Sequence, residues 1–419
     1  MKKTLLITAL VILSISVFSQ EIFIKQSVVI NIEVPVRVFK SGAFIDNLTI
    51  NDFEVFEDGI PQKLEAVYLI KKRAIERSEE KKRFSPETSR NFFIFFEVAE
   101  YTAKLGEAVD YFVHNVILPG DNLYIITPMK TYRLKNKALG VTTREEIVME
   151  LRGLIRKDSL TGNSEYRATL AELTSLARSL TAGIQTDPET QTGFGEGAAP
   201  PKELDSFTSL QHVGMDLDEL LWNYASLLKR LEILRSVEQM KLLEFAQFLK
   251  DKEGQKYVFL FYQREYIPQI EPRILNEYMN LHMKNQFVMQ TLSQISTLSG
   301  RTVSIDVDRV KQAYADSSTS IHFLFITKPP PILPGIYFEE HSEDIYQPFK
   351  EMANATGGFV ESSSNPAFLF QKALEASENY YLLYYSPKNY EYDGKFKKIK
   401  IKLKNKNYKV THRAGYFAY

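Results

Sequence analysis

The 419-residue chain contains no cysteine, which excludes disulfides, thiol catalysis and cysteine-based metal sites. It also lacks a charge of either sign in excess, with 52 Lys and Arg against 52 Asp and Glu. Nucleic-acid binding needs a net basic face, so nucleic acid is not an expected partner. The six histidines (His114, His212, His282, His322, His341 and His412) are scattered, with no HExxH pair or other metal-ligand spacing among them. Walker A, GxGxxG and nucleophile-elbow motifs are missing. Nothing sets up a nucleophile, a base and an orienting group together. After the N-terminus no segment is apolar enough to cross a bilayer. Without disulfides the fold is held by packing alone, and a hydrophobic fraction of 44% is enough to build substantial cores.

What is present begins at the N-terminus. Lys2 and Lys3 precede an apolar run from Leu5 to Val17, and Ser19 supplies a small residue before Gln20. This is the pattern of a secretory signal over 1–19. The run is shorter than the ~17–25 residues of a membrane span. Export to the periplasm or the cell exterior is therefore expected.

Residues 20–70 read as β. Val28, Ile30, Ile32, Val34, Val36 and Val38 alternate with polar residues, a period of two. Pro35 donates no N–H, which predicts a sheet edge or a bulge there. Asp58-Gly59 predicts a hairpin turn, and Leu64 to Ile70 a further strand. Residues 71–90 are charged and poor in large apolar side chains, and are expected as a linker.

From 91 to 378 strands and helices alternate, which predicts an α/β doubly wound, mostly parallel sheet. Phe92 to Val98 is nearly continuous apolar sequence, as in a strand covered on both faces. An amphipathic helix over Thr102–Val116 and a strand over Leu123–Ile126 follow. Further helices are expected at 144–154, at 163–182, as one long helix over 216–250, and at 274–298. Strands are expected at 257–262 and 321–326. A mobile surface loop is expected at about 184–205, rich in Thr, Gly, Pro and Ala. The acidic run from Glu339 to Asp344 is expected to be a solvated loop. Residues 379–419 return to β, with Ile399, Ile401 and Leu403 alternating with lysines. Each terminal β segment is too short to be secure alone, so the two are expected to pair into one β-sandwich around the inserted α/β unit.

Two terminal blocks resemble a known family. The first runs Leu48-Thr49-Ile50-Asn51-Asp52-Phe53-Glu54-Val55-Phe56-Glu57-Asp58-Gly59-Ile60-Pro61-Gln62. The second combines Tyr380-Tyr381-Leu382-Leu383-Tyr384-Tyr385-Ser386-Pro387, Asp393-Gly394-Lys395-Phe396 and Arg413-Ala414-Gly415-Tyr416. Between them, Leu118-Pro119-Gly120-Asp121 and Thr356-Gly357-Gly358 stand where similar turns occur. Together these resemble the VWFA-related family of exported von Willebrand factor type A-like proteins, acidobacteria type. The resemblance implies a von Willebrand factor A-like domain, in which many members hold Mg²⁺ through Asp-x-Ser-x-Ser at the end of the first strand, joined by a Thr and an Asp from later loops. Such a site needs hard oxygen ligands.

Here the matching residues are Glu97-Val98-Ala99-Glu100-Tyr101. Ala99 has no side-chain oxygen, and Tyr101 replaces a small hydroxyl. Thr169 is the match for the loop Thr, and Gln263 stands where the Asp is expected. The resemblance thus implies a degenerate adhesion site at Glu97, Glu100, Thr169 and Gln263, with no resident metal or other cofactor. The function expected is non-catalytic binding of a protein or cell-envelope partner, or envelope scaffolding. Two alternatives stand beside it: adhesion through a weakly held Mg²⁺ or Ca²⁺ at Glu97 and Glu100, and a hydrolase using those carboxylates with a loop histidine. Oligomeric state is left open.

Overall fold

The computed structural model describes residues 30–134, 138–185, 216–298, 305–334 and 336–419. The expected export signal lies outside the described residues, as does nearly all of the loop expected at about 184–205. β1 (Ile32–Lys40) follows its sequence pattern, with Val34, Val36 and Val38 buried. The two-residue β2 (Ala43–Phe44) pairs back onto it. β3 (Phe53–Glu57) and β4 (Ile60–Gln62) form the expected hairpin. Its turn residues Asp58 and Gly59 have φ of 46° and 84°, the mirror-image turn geometry that suits the twist of paired strands. β5 (Leu64–Lys71) and β6 (Ala74–Glu80) form a second hairpin. Residues 71–90, expected as a linker, are therefore in part an edge strand. Charges on an edge discourage pairing with another chain, so charge density alone does not separate an edge strand from a loop.

β7 (Arg90–Glu97), α1 (Ala103–Asn115), β8 (Asn122–Ile126) and β9 (Thr131–Leu134) begin the central unit. α2 (Arg144–Gly162), α3 (Ser164–Gln185), α4 (Leu217–Leu234) and α5 (Gln239–Lys250) follow. Then come β10 (Gln255–Gln263), β11 (Tyr266–Gln269), α6 (Pro272–Leu281), α7 (Gln286–Leu298) and α8 (Val307–Asp316). β12 (Thr319–Ile326), β13 (Tyr337–Glu340), α9 (Glu343–Ala355), β14 (Val360–Ser363) and α10 (Pro366–Glu378) complete it. The sheet order is β14-β12-β10-β7-β8-β9, with only the β8–β9 pair antiparallel. The molecule is thus a mixed α/β protein with one mostly parallel sheet and several antiparallel ones.

Helices cover both faces of that sheet. Phe112 of α1, Ile155 of α2 and Phe370 of α10 pack with Phe92, Phe259 and Phe261 on one side. Leu249 of α5, Tyr314 of α8 and Met352 of α9 pack with Phe93, Val258 and Phe323 on the other. All nine residues of β10 are buried, which is why its sequence is a continuous run without alternation. Helix starts are capped as their sequences suggest. The Thr102 hydroxyl accepts from Leu105 N, and Thr143 and Glu146 form a reciprocal capping box.

The single helices expected over 216–250 and 274–298 are each two. The first breaks after Leu234, where Arg235 turns its guanidinium to Glu265 and to the His341 carbonyl. The second breaks at Asn285, whose Oδ1 accepts from Phe287 N and Val288 N and starts α7. α2 runs eight residues beyond the expected 154. Glu339 and Glu340, expected in a loop, lie on β13, which pairs with β11. α3, α4, α6 and α7 enclose a core of their own, built from Leu173, Leu180, Leu221, Tyr224, Leu292 and Ile295. β11 follows β10 directly and also packs there through Ile267. This helical layer is therefore a cap at the carboxyl end of the parallel sheet.

β15 (Asn379–Tyr385), β16 (Phe396–Leu403), β17 (Lys409–His412) and β18 (Gly415–Phe417) return to the terminal strands. One antiparallel sheet runs β17-β1-β15-β5-β6 and the other β18-β16-β3-β4. Val36, Tyr381 and Leu383 from the first meet Val55, Ile399 and Ile401 from the second in one core, so neither end of the chain closes that core alone. β1 lies between two partners, but β17 pairs it only from Val36 to Phe39. Pro35 thus lies inside a central strand, paired with Leu382 of β15 but just outside the pairing with β17. The lysine-bearing β16 is likewise interior, between β18 and β3.

The first sheet is tied to the parallel sheet by a buried guanidinium. Arg37 Nη2 donates to Ser320 Oγ at 3.0 Å and Nη1 to the Gly357 carbonyl at 3.4 Å. The neighbouring Gly358 is more than a turn residue, because a Cβ there would lie 1.7 Å from the Ile321 carbonyl oxygen. Among the described residues no helix is long and apolar enough to cross a membrane.

Candidate functional site at the capped crevice

The order of the parallel sheet reverses between β7 and β10. From β7 the chain proceeds outward through β8 and β9, then crosses back to β10, β12 and β14. Open α/β sheets receive ligands at such a point, beyond the carboxyl ends of the strands. Glu97 ends β7, pairs in register with Tyr262 of β10, and is followed across the crevice by Gln263.

A cavity of about 460 Å³ opens here, within the usual range for small-molecule sites. Phe95, Leu260, Tyr262 and Phe349 line its sheet side; Asn163, Tyr166, Arg167 and Arg235 line its cap side. Phe95 and Tyr262 come from strand positions that face α5, α8 and α9, and Phe349 comes from α9 itself. The polar ones come from the α2–α3 junction and the break between α4 and α5.

The crevice is closed by paired groups. Gln263 Oε1 accepts from the Glu100 backbone N–H at 3.1 Å. Asn163 Nδ2 donates to the Val98 carbonyl at 3.1 Å. Lys328, just beyond β12, places Nζ 2.9 Å from Glu100 Oε1. Arg235 forms an ion pair with Glu265, with the guanidinium almost fully buried. Glu265 N donates to Ser342 Oγ at 3.2 Å, and the Tyr266 hydroxyl donates to the Lys328 carbonyl at 3.1 Å. The loops after β10 and β12 are thereby knitted together below the cap.

Glu97 differs from these. Its carboxyl is open to the solvent of the cavity, yet protein surrounds that cavity. Burial first, and the Glu265 carboxylate second, push the Glu97 carboxyl above its ordinary value. Burial and the same Glu265 charge also raise the hydroxyls of Tyr262 and Tyr166. The site thus holds these tyrosines neutral and disfavours a second negative charge.

The structure brings Glu97, Glu100 and Gln263 to one crevice. Thr169 is buried in α3, two residues beyond Arg167, and is not among the residues lining the cavity. Asn163, at the end of α2, is the residue from that connection which reaches the crevice. Tyr101 packs against the core under α1 and α2 and is not among the residues lining the cavity. Asn163, Tyr166, Arg235, Glu265 and Lys328 escaped sequence reasoning. Only Lys328 carried a signal, as the charged residue between a buried strand and three prolines. Among the described residues, no group of three or more His, Asp or Glu side chains is placed to hold a metal ion.

No protein family, curated protein or solved structure matches the chain.

Proposed function

We propose that this is an exported, non-catalytic binding or envelope-scaffolding protein with a von Willebrand factor A-like domain whose adhesion site works without a metal. The apolar run and Ser19 near the N-terminus support export. The terminal sequence blocks and the strand order support the family. Numbered along the chain within the parallel sheet, that order is 3-2-1-4-5-6, with the third strand antiparallel. The two antiparallel sheets support a β-sandwich, formed by both chain ends, into which the domain is inserted.

One observation carries the metal-independent reading. The ammonium of Lys328 lies 2.9 Å from Glu100, so one of the two crevice carboxylates already has its cation. Ala99 adds no oxygen and Gln263 spends its own on the Glu100 backbone. A divalent ion would keep Glu97 alone, too few hard ligands for firm binding.

Thermal unfolding of the mature chain in EDTA, then with Mg²⁺, Mn²⁺ or Ca²⁺, tests this. An ion at about 100 times its Kd adds roughly 2.7 kcal/mol, a shift of about 3–5 °C for a chain of this size. No shift is expected. A shift that disappears in Glu97→Ala would make metal-dependent adhesion the correct reading.

A further inference from the structure

Among the described residues the Glu97 carboxyl has neither a hydrogen-bond nor an ion-pair partner. The other carboxylates lining the cavity do. Glu100 is held by Lys328, Glu265 by Arg235, and Glu238 by Lys241 at 2.7 Å. On the cationic side Arg264 Nε lies 3.0 Å from Glu340 Oε1, while Arg167 turns its Nε and Nη2 to the Asn163 and Leu160 carbonyls. Glu97 is therefore the one carboxyl of the cavity left for a ligand.

Its surroundings select the ligand's chemistry. Tyr166, Tyr262, Tyr266, Phe245 and Phe349 line the same space. Aromatic faces attract organic cations, but give a hydrated divalent ion no oxygen ligands in exchange for its water. An anion would meet the unpaired Glu97 carboxyl. An ammonium meets a counter-ion at Glu97 and aromatic surface around it, while an apolar body rests on Phe95 and Leu260.

We propose that the capped cavity binds a small primary ammonium compound with an apolar or aromatic body, and that Glu97 is its counter-ion. The proposal deepens the metal-independent reading and rests on it, because a divalent ion on Glu97 would exclude an ammonium. A charge-assisted contact is stronger than a neutral hydrogen bond, so the charge on the ligand decides affinity.

The test uses phenethylamine, phenethyl alcohol and phenylacetate, which share a body and differ in charge. Each is titrated calorimetrically into the mature chain in EDTA, and into Glu97→Gln and Glu97→Asp. Phenethylamine is expected to bind about tenfold or more tighter than the alcohol, the scale of one charged contact. Glu97→Gln removes that preference and Glu97→Asp keeps part of it. Gln fills the same space without the charge, and its melting curve reports folding independently. Equal affinity for amine and alcohol, no amine binding, or an undiminished preference in Glu97→Gln overturns the proposal. A parallel melt with Mg²⁺ separates the two readings. An amine that fails while Mg²⁺ is also inert sinks the ammonium site alone. A Mg²⁺ shift lost in Glu97→Ala sinks the metal-independent reading and the ammonium site with it.

Discussion

Lys328 and Glu100 come from segments 228 residues apart and meet at 2.9 Å in the crevice where the parallel sheet reverses direction. The pair is partly open to water, with side-chain exposures of 28% and 58%. Its direct contribution to stability is accordingly small, about 0–1 kcal/mol. What it fixes is the electrostatics of the site: an acidic position carries its own cation.

Lys328→Met separates these effects. In EDTA its stability is expected to lie within about 1 kcal/mol of the parent, since the pair is half exposed. With Glu100 released next to Glu97, the variant is expected to gain a melting shift with Ca²⁺ or Mg²⁺ that the parent lacks. Melts with and without the ions decide it. An unresponsive variant would show that Lys328 is not what keeps a divalent ion away.

A buried pair behaves differently. Arg90, at the start of β7, meets Asp121 through Nη2–Oδ2 at 2.5 Å and Nε–Oδ1 at 3.1 Å, with exposures of 1% and 0%. Asp121 also accepts from Leu118 N at 2.8 Å, holding the turn between α1 and β8. Asp121→Ala leaves the buried guanidinium with only the Val116 carbonyl and the more distant Glu378, 3.9 Å from Nη1, and is expected to cost about 3–5 kcal/mol in urea unfolding. Arg90→Met with Asp121→Leu removes both charges and is expected to be milder than Asp121→Ala alone. A double variant as unstable as the single one would show that the turn, not the charge, carries the loss.

Much of this architecture was legible in the sequence. The Phe92–Val98 and Tyr257–Tyr262 runs announce strands covered on both faces, because they are short, aromatic-rich and nearly continuously apolar. The alternation at Val34–Val38 and at Ile399–Leu403 announces strands with one buried face. The cap was not legible as a cap: its helices have ordinary amphipathic patterns, and nothing local says that Leu173 and Leu292 face each other instead of the sheet. β6 was hidden because edge strands and loops share a charged composition. At the crevice, Glu97, Glu100 and Gln263 were reached only through the family resemblance, which assigns them as adhesion-site positions. Lys328, Arg235 and Glu265 were not reached, since their roles depend on loops that approach only after folding.

The raised Glu97 carboxyl gives a pH dependence of defined sign. Its folded-state value lies above the ordinary 4.5 because of burial and then Glu265. The folded state thus holds this proton more tightly than the unfolded chain. Stability is lost as pH rises from about 4.5 through the folded-state value. The groups facing Glu97 include Glu265 with its partner Arg235, Glu100 with Lys328, and the neutral Tyr166 and Tyr262. Glu97→Gln is therefore expected to match the parent near about pH 4 and to exceed it near neutrality, in urea unfolding at both values. A constant difference at the two pH values would show that Glu97 is not held above its ordinary range.

His322 works in the opposite direction. It is buried beneath the sheet, stacked on Phe259 with ring centroids 4.8 Å apart. Its Nδ1 accepts from the Phe359 backbone N–H at 3.2 Å, which places the ring proton on Nε2, 3.0 Å from Ser377 Oγ. The Ser377 hydroxyl donates to the Ala373 carbonyl. A second ring proton would break the Phe359 bond. Burial, and then the nearby Arg37 guanidinium, hold His322 well below its ordinary 6.5. The unfolded chain takes up a proton that the folded chain refuses, so stability falls as pH drops below about 6.5. The slope from one such group is at most about 1.4 kcal/mol per pH unit. His412, which burial also lowers, contributes in the same sense and is retained when His322 alone is changed. His322→Gln keeps a polar group near Ser377 but has no proton to gain. It is expected to be less stable at neutral pH through lost packing, and to lose less further stability on acidification than the parent. Urea unfolding of both proteins between about pH 7 and pH 5 measures the two slopes. Parallel slopes would mean that His322 titrates normally in the fold, and that its contacts with Phe359 and Ser377 survive protonation.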